Sequence, residues 1–216
     1  MIQSYSAFLF DLNGTMIDDM RFHVTAWHRI LNELGAGLTY EETKLQCYGR
    51  NDELLERIFP GRFTDQEKHE LIMDKEVEYQ AAFRPHLKLL PGLPELLEKA
   101  KSKGIRMAIG SAALPFNIDY VLDGLHIRPY FDTVVSAVDV VHSKPDPETY
   151  LICARRLNQS AAQCLVFEDV PKGVEAAANA NMKAFVLTTM HRPDEFAGYA
   201  NTIGYSQDYC TLLNDF

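Results

Sequence analysis

Residues 8–15 read Phe-Leu-Phe-Asp-Leu-Asn-Gly-Thr, a short apolar run that ends in a carboxylate and then breaks at a glycine. The run predicts a buried strand over 7–11, of the kind found in parallel sheets. Such a strand would deliver Asp11 to a turn at the carboxyl edge of the sheet. Because open α/β folds bind their ligands at that edge, Asp11 is the first candidate for a catalytic group.

The chain after Pro91-Gly92 alternates between apolar runs and helical patterns. This rhythm indicates βαβ units with right-handed crossovers and therefore a parallel sheet. The predicted class is α/β, a Rossmann-like parallel sheet with helices on both faces. Strands are predicted over 106–111, 133–136, 164–168 and 184–188, and helices over 93–103, 116–122, 147–157 and 173–180.

The segment between the first strand and this alternating region has a helical pattern and no convincing strand. Its apolar residues recur at helical spacing around Trp27, around Leu54 and over 66–83, and Trp27 is expected in the core of this block. The block therefore predicts an inserted all-α cap domain over 18–87. The Rossmann-like core would comprise 1–17 and 88–216.

Composition limits the function classes. The chain has 216 residues and a formal net charge of −9, which argues against a nucleic-acid partner. No apolar run is long enough for a membrane span, and the N-terminus lacks the features of a signal peptide. The four cysteines are far apart and predict reduced thiols rather than zinc or redox chemistry. We expect a cytoplasmic monomer.

Four short motifs follow predicted strands: Asp11-Leu-Asn-Gly-Thr, Ser111, Lys144 and Glu168-Asp169. These residue types suit phosphoryl transfer, because a carboxylate nucleophile splits one difficult displacement into two easier ones. The charge of a phosphate near carboxylates must be neutralised, and Mg²⁺ with hard oxygen ligands does this. Lys144 would screen Asp11 and bind the phosphoryl group, while Ser111 would donate a hydrogen bond.

The order and spacing of these motifs resemble the haloacid dehalogenase superfamily, in its β-phosphoglucomutase-like branch with a small α-helical cap. The resemblance implies an aspartyl phosphate on Asp11 and a Mg²⁺ cofactor. It also implies that the substrate is a small phosphorylated metabolite. The implied catalytic residues are Asp11, Asn13, Ser111 and Lys144, and the implied metal ligands are Asp11, Asn13 through its backbone carbonyl, Glu168 and Asp169.

The resemblance extends into the helical block. His23, followed by Ala26-Trp27, is similar to the hinge histidine of the sugar-phosphate mutases of this branch. Arg50 resembles an arginine that binds the distal phosphate of the substrate, and Lys75 lies near the position of a lysine that partners the histidine. The resemblance therefore implies substrate binding by His23, Arg50 and Lys75, together with Ala112 in the core.

The chain departs from the family pattern at Asn13, where phosphatases and mutases have an aspartate that shuttles a proton. An amide cannot do this, and general acid–base help is worth about 10²- to 10⁴-fold. Three explanations compete: a natural protein that uses substrates with good leaving groups, a proton carried by another residue such as His23, and an engineered substitution at Asn13 that traps a complex. A second departure is the apolar loop 112–115, which offers little to the second phosphate that a mutase must grip.

Four functions are compatible with these residues. The main expectation is a Mg²⁺-dependent phosphatase of a small metabolite, with a sugar phosphate as substrate class. The first alternative is a β-phosphoglucomutase-like isomerase, favoured by His23, Arg50 and Lys75. The others are a phosphonatase-like enzyme, which would need Lys44 or Lys75 as a Schiff base, and a catalytically weak protein that only binds a phosphometabolite.

Overall fold

The structure is a computed structural model that describes residues 2–215. The chain divides into two compact units. One is Asp19–Leu87, and the other consists of the described residues before and after it, 2–18 and 88–215.

The larger unit contains one sheet in which all strands are parallel. The strand order is β3-β2-β1-β4-β5-β6, so β1 lies in the interior of the sheet. The chain adds β2 and β3 on one side of β1 and then β4, β5 and β6 on the other side. This reversal of strand order makes the carboxyl end of β1 a topological switch point. The strands are β1 Ala7–Phe10, β2 Arg106–Gly110, β3 Thr133–Val135, β4 Cys164–Glu168, β5 Lys183–Leu187 and β6 Thr202–Ser206.

The α-helices of the described chain fall into two groups, one before and one after Leu87. The first group is α1 Met20–Glu33, α2 Tyr40–Gln46, α3 Asn51–Ile58 and α4 Asp65–Phe83. The second is α5 Leu93–Ser102, α6 Pro115–Gly124, α7 Glu148–Arg156 and α8 Pro171–Asn179. Within residues 2–215, no helix combines the length and the apolar character that crossing a membrane would require.

Strand β1 is buried on both faces, as its continuous apolar run predicts. Ala7 and Leu9 belong to the core cluster that also contains residues of α7 and α8. Phe10 stacks on Phe167 of β4, with ring centroids 4.7 Å apart. Full burial of a side chain of this kind stabilises the fold by about 1.5–3 kcal/mol. The packing therefore fixes the strand that carries Asp11 at its end.

The edge strand β6 was not predicted. Its residues are only partly buried, and Gly204 interrupts the apolar pattern in its middle. The glycine is required there because a Cβ would lie 2.8 Å from the Phe185 ring. The pairing between β5 and β6 also shifts register between Ala184 and Phe185. An irregular edge strand of this kind lacks the periodicity on which the sequence prediction depends.

All the regular secondary structure of the Asp19–Leu87 unit is helical. Trp27 is buried in this unit, as predicted. Four α-helices occur in this unit where three helices were predicted, because the short helix α2 was not anticipated. Helix α2 begins with a capping box in which Thr39 and Glu42 bond reciprocally, and α4 begins with the same device at Thr64 and Glu67.

Candidate active site

The turn after β1 holds Asp11 at the carboxyl edge of the sheet. The Asp11 amide donates to the carbonyl of Phe167 at 3.0 Å, which continues the β1–β4 pairing by one residue. Gly14 then adopts a left-handed conformation with φ of +74°. Two distant segments fix this turn, since Thr189 Oγ1 donates to the Gly14 carbonyl at 2.6 Å and Tyr209 Oη donates to the Thr15 carbonyl at 3.0 Å.

Lys144 joins two carboxylates in the buried interior of this edge. Its Nζ lies 2.6 Å from Asp11 Oδ1 and 2.6 Å from Glu168 Oε1. Burial alone would lower the pKa of Lys144, but the charges and hydrogen bonds of Asp11 and Glu168 raise it above its usual value. Lys144 therefore remains an ammonium group and donates hydrogen bonds to Asp11 and Glu168.

Glu168 accepts hydrogen bonds at both of its carboxylate oxygens. Oε1 accepts from Lys144 Nζ and from Tyr150 Oη, each at 2.6 Å. Oε2 accepts from the backbone amides of Asp169 and Val170 at 3.0 and 3.3 Å. Residue 173 must be glycine for this arrangement, because a Cβ there would lie 1.9 Å from the Glu168 carboxyl carbon.

Tyr150 is a site residue that the sequence analysis missed. It is fully buried on α7, and burial followed by the charges of Glu168 and Asp11 raises its pKa well above the usual value. The hydroxyl therefore keeps its proton and donates a hydrogen bond to Glu168. In the sequence, Tyr150 fits the apolar face of a helix. The available signal for a role in the site was its position six residues after Lys144.

Asp169 has one satisfied and one unsatisfied carboxylate oxygen. Thr15 Oγ1 donates to Oδ1 at 3.0 Å, whereas Oδ2 is buried without a hydrogen-bond partner among the described residues. Burial, then the negative charges of Glu168 and Asp11, raise the pKa of Asp169 well above its usual value. An orphaned buried oxygen beside other carboxylates is the arrangement that a divalent cation would complete.

The three acidic residues of this edge fit a divalent cation. Ligand oxygens of Asp11, Glu168 and Asp169 lie within 4.8 Å of one another, and all three residues are buried. Carboxylates are the ligands that Mg²⁺ prefers, and one ammonium group beside three carboxylates leaves a deficit of positive charge.

Ser111 and Ala112 follow β2 at the same edge. The register Phe10↔Ile109 places Ser111 beside the turn that carries Asp11. The Ser111 amide donates to Val135 at 2.9 Å, and its Oγ accepts from the Ala113 amide at 3.1 Å. Ala112 brings only a methyl group to this loop.

Asn13 lies in the turn between Asp11 and Gly14, half-buried, and forms an isolated bridge with Ile17. The turn therefore holds the Asn13 backbone in a fixed conformation close to Asp11. Its side chain is an amide, which offers a hydrogen-bond donor and acceptor but no titratable proton.

The helical unit contains its own buried polar cluster, which joins two of the predicted residues. Lys75 Nζ lies 2.7 Å from His23 Nδ1 and 3.0 Å from Glu76 Oε1. His23 Nε2 lies 3.3 Å from Asp19 Oδ2. Because an ammonium group only donates, Nδ1 of His23 accepts from Lys75, which leaves the ring proton on Nε2 facing Asp19.

The remaining members of this cluster bind its two carboxylates. Tyr79 stacks on His23 with ring centroids 3.7 Å apart and donates to Asp19 Oδ2 at 2.5 Å. Asn51 donates to Glu76 Oε1 at 2.7 Å and accepts from Trp27 Nε1 at 3.2 Å. The cluster therefore orients His23 through direct contacts with Asp19, Lys75 and Tyr79.

Arg50, the third predicted residue of the helical unit, takes part in a different set of ion pairs. It lies immediately before α3, and its Nη2 is 3.0 Å from Asp52 Oδ2. Its Nε is 3.7 Å from Glu53 Oε1. A phosphate that binds Arg50 would have to compete with these two carboxylates.

Comparisons with known proteins give matches that cover most of the chain. The sequence model of the haloacid dehalogenase-like hydrolases matches residues 5–181. The chain is 32% identical to fructose-1-phosphate phosphatase YqaB of Escherichia coli, over 85% of this chain and 97% of that protein. It is 31% identical to β-phosphoglucomutase of Bacillus subtilis, over 82% and 81%. The crystal structure of β-phosphoglucomutase from Clostridium difficile superposes with a TM-score of 0.84 at 27% identity, covering 96% of this chain and 93% of that one.

Proposed function

The chain belongs to the haloacid dehalogenase-like hydrolases, and from this premise we propose that it is a Mg²⁺-dependent phosphatase acting on a sugar phosphate through Asp11. The observation that carries the proposal is the buried contact between Lys144 and Asp11 at 2.6 Å, next to the orphaned oxygen of Asp169. An ionised carboxylate beside a fixed cation is suited to attack a phosphoryl group.

In this proposal Asp11 attacks the phosphorus atom and forms an aspartyl phosphate as the bond between phosphorus and the sugar oxygen breaks, and a solvent water gives the departing sugar oxygen its proton. Water then attacks the phosphorus and releases phosphate, which restores the carboxylate. Lys144 stabilises the charge on the transferring phosphoryl oxygens, and Ser111 donates a hydrogen bond to one of them. Both groups sit on separate loops at the same edge of the sheet, which orients them before the substrate binds.

The metal site of the proposal is formed by Asp11, Asp169 and the backbone carbonyl of Asn13, with Glu168 beside them. When bound, Mg²⁺ would supply positive charge against the phosphoryl oxygens. The buried orphaned oxygen of Asp169 supports this assignment, since a carboxylate oxygen rarely stays unsatisfied in a protein interior.

We propose that the helical unit acts as the cap and reads the sugar part of the substrate through His23, Arg50 and Lys75. The fixed orientation of His23 supports a binding role, because an ordered ring presents the same edge to every substrate molecule. Fructose 1-phosphate is the first substrate to test, since a relative that covers most of this chain is named for that activity.

The experiment is a measurement of Mg²⁺-dependent phosphate release from a panel of sugar phosphates, acyl phosphates and pyrophosphate. The chain and its Asn13→Asp variant are compared, with Asp11→Asn as the control for contaminating activity. We expect Asn13→Asp to raise turnover of sugar phosphates by about 10²-fold or more, because it restores a proton shuttle. If neither form releases phosphate from any panel member, the proposed function is wrong.

The same panel tests the mutase alternative. Isomer formation from glucose 1-phosphate that depends on a bisphosphate would favour it, whereas phosphate release alone supports the phosphatase. The apolar side chain of Ala112, at a loop where a mutase must hold a second phosphate, favours the phosphatase.

A further inference from the structure

Glu168 already uses the full hydrogen-bonding capacity of its carboxylate within the protein. A carboxylate offers about four lone-pair sites. Lys144 and Tyr150 occupy two at Oε1, and the amides of Asp169 and Val170 occupy two at Oε2. Asp169 presents the opposite case, since its Oδ2 is buried and has no partner among the described residues. The two adjacent acids are therefore prepared for different tasks.

We propose that Tyr150 is a positioning residue that acts through Glu168 on Lys144, and that Glu168 serves this lysine rather than the metal. This inference rests on the proposed function for its kinetic consequence. The Tyr150 hydroxyl and the two backbone amides lock the Glu168 carboxylate in one rotamer. Glu168 Oε1 then fixes the Lys144 ammonium at the point from which it also reaches Asp11 Oδ1.

The rigidity of this chain of contacts comes from the elements that carry it. Tyr150 is fully buried on α7, Glu168 is the last residue of β4, and the Lys144 ammonium lies 4.8 Å from the centre of the Tyr150 ring. Gly173 leaves the room that the Glu168 carboxylate occupies, because a Cβ there would collide with it. A lysine on a long flexible stem needs such a support to keep one geometry.

Tyr150→Phe removes only the hydroxyl and leaves the net charge of the site unchanged. We expect kcat for the best panel substrate to fall about tenfold, because one donor to a charged acceptor is lost. We expect the Mg²⁺ dissociation constant, measured by calorimetry on the metal-free protein without substrate, to change less than about threefold. A Mg²⁺ affinity that falls about 10- to 100-fold, with kcat restored at saturating Mg²⁺, would overturn the inference, because outer partners of metal ligands behave in that way. An unchanged kcat would overturn it as well.

A matched pair of variants tests the same division of tasks without the tyrosine. Glu168→Gln and Asp169→Asn each remove one negative charge from the same buried cluster, so their general electrostatic effects on Mg²⁺ binding are alike. We expect Asp169→Asn to weaken Mg²⁺ binding at least about tenfold more than Glu168→Gln, because only Asp169 would lose a metal ligand. Equal losses, or a larger loss for Glu168→Gln, would contradict the inference.

The binding measurements separate this inference from the proposed function. If the protein binds Mg²⁺ with the expected difference between Glu168→Gln and Asp169→Asn but hydrolyses no panel substrate, the proposed function fails and the assignment of Glu168 stands. If it hydrolyses a sugar phosphate and the two variants bind Mg²⁺ equally, the function stands and the inference fails. Should Tyr150→Phe not fold, the matched pair still decides the role of Glu168.

Discussion

Each of the two units buries one lysine among carboxylates, but with different balances of charge. In the sheet unit, Lys144 is 5% exposed and contacts Asp11 and Glu168, with Asp169 adjacent. In the helical unit, Lys75 is 1% exposed and contacts Glu76 and His23. Both clusters obey the rule that buried charges are paired. The sheet unit sets three carboxylates against one ammonium group, whereas the helical cluster sets two carboxylates against one lysine and the ring of His23.

The difference lies in what each cluster still requires. The carboxylates of the helical cluster receive donors from Tyr79 and Asn51, so its hydrogen bonds serve to hold His23 in one orientation. The sheet cluster leaves Asp169 Oδ2 without a partner in the described chain and keeps a surplus of negative charge. A buried lysine alone is therefore weak evidence for a reaction site, and the unbalanced charge around it is the better guide.

The largest expected effect is on turnover, and it compares substitutions of the buried aspartates of the two clusters, Asp11 and Asp19. Asp11→Asn should lower turnover by about 10³-fold or more, because an amide cannot act as the nucleophile. Asp19→Asn, the corresponding change in the helical cluster, should lower turnover by less than about tenfold, since Asp19 only supports His23. Initial rates of phosphate release measure both, with circular dichroism to verify folding. Equal losses would mean that the two clusters do not differ as described.

Removal of each lysine should show which cluster accepts a cation. Lys144→Met and Lys75→Met should each lower the free energy of unfolding by about 3–5 kcal/mol without divalent cations, because each leaves buried carboxylates uncompensated. Saturating Mg²⁺ should restore at least about 1 kcal/mol to Lys144→Met through binding to the native state. Mg²⁺ should restore nothing to Lys75→Met. Urea titrations with and without Mg²⁺ test this, and rescue of both variants would contradict it.

The close approach of Gly173 to the Glu168 carboxylate predicts a moderate effect of a substitution on stability. Gly173→Ala should lower the free energy of unfolding by about 1–3 kcal/mol, because the new methyl group overlaps the Glu168 carboxyl. Helix propensity alone would favour alanine over glycine at residue 173, because this residue lies inside α8. Gly198→Ala is the control, because nothing lies within 4 Å of a Cβ there. Thermal unfolding compares the two, and an unchanged Tm for Gly173→Ala would mean that Glu168 is not held as described.

The smallest expected effect compares two carboxylates whose pKa values shift in opposite directions. Burial, Glu168 and Asp11 raise the pKa of Asp169, so without divalent cations its ionisation lowers stability as pH rises above the usual value of 3.8. Burial opposes ionisation of Asp139 too, but bonds from Arg156 and Ser136 lower its pKa overall. Asp139 therefore adds stability above pH 3.8 that is lost as pH falls through its lowered pKa.

At pH 7 in a chelator, Asp169→Asn should therefore raise the free energy of unfolding, and Asp139→Asn should lower it by about 1 kcal/mol. Both differences from the parent protein should shrink as the pH approaches 3, where each carboxyl is protonated in the unfolded chain. Urea titrations across this pH range provide the measurement. Destabilisation by Asp169→Asn in the chelator would show that its charge is already balanced.

The sheet was predictable where strands are buried on both faces, because Phe8–Phe10 and Leu165–Phe167 are apolar runs that end at the carboxylates of Asp11 and Glu168. The strand β6 was not, because it is half-exposed and contains Gly204. The helix α2 was missed since it is held by its capping box and buries only Thr43 fully. The spacing of apolar residues therefore predicts the elements that are fully buried. It misses the partly exposed elements, whose conformation depends on contacts with residues distant in the sequence.

Within the site, the sequence pointed to Lys144 and Glu168 but not to the hydroxyl groups that bind the neighbouring carboxylates. Lys144 and Glu168 carry charge and follow strands, so their types suggested chemistry. Tyr150 and Thr15 bind Glu168 and Asp169 through hydroxyls, and nothing in a single sequence distinguishes such hydroxyls from those of an ordinary buried tyrosine or turn threonine. The contact between His23 and Lys75 spans 52 residues and depends on the packing of α1 against α4.

The interior position of β1 also determines when the site can exist during synthesis. Strand β1 is synthesised well before its two neighbours, since β2 begins at Arg106 and β4 begins at Cys164. Until then Ala7–Phe10 is an apolar strand with two open edges, the kind of segment that chaperones bind and that aggregates if left exposed. The site can thus form only after the strands on both sides of β1 have been made, since Asp169 follows Asp11 by 158 positions.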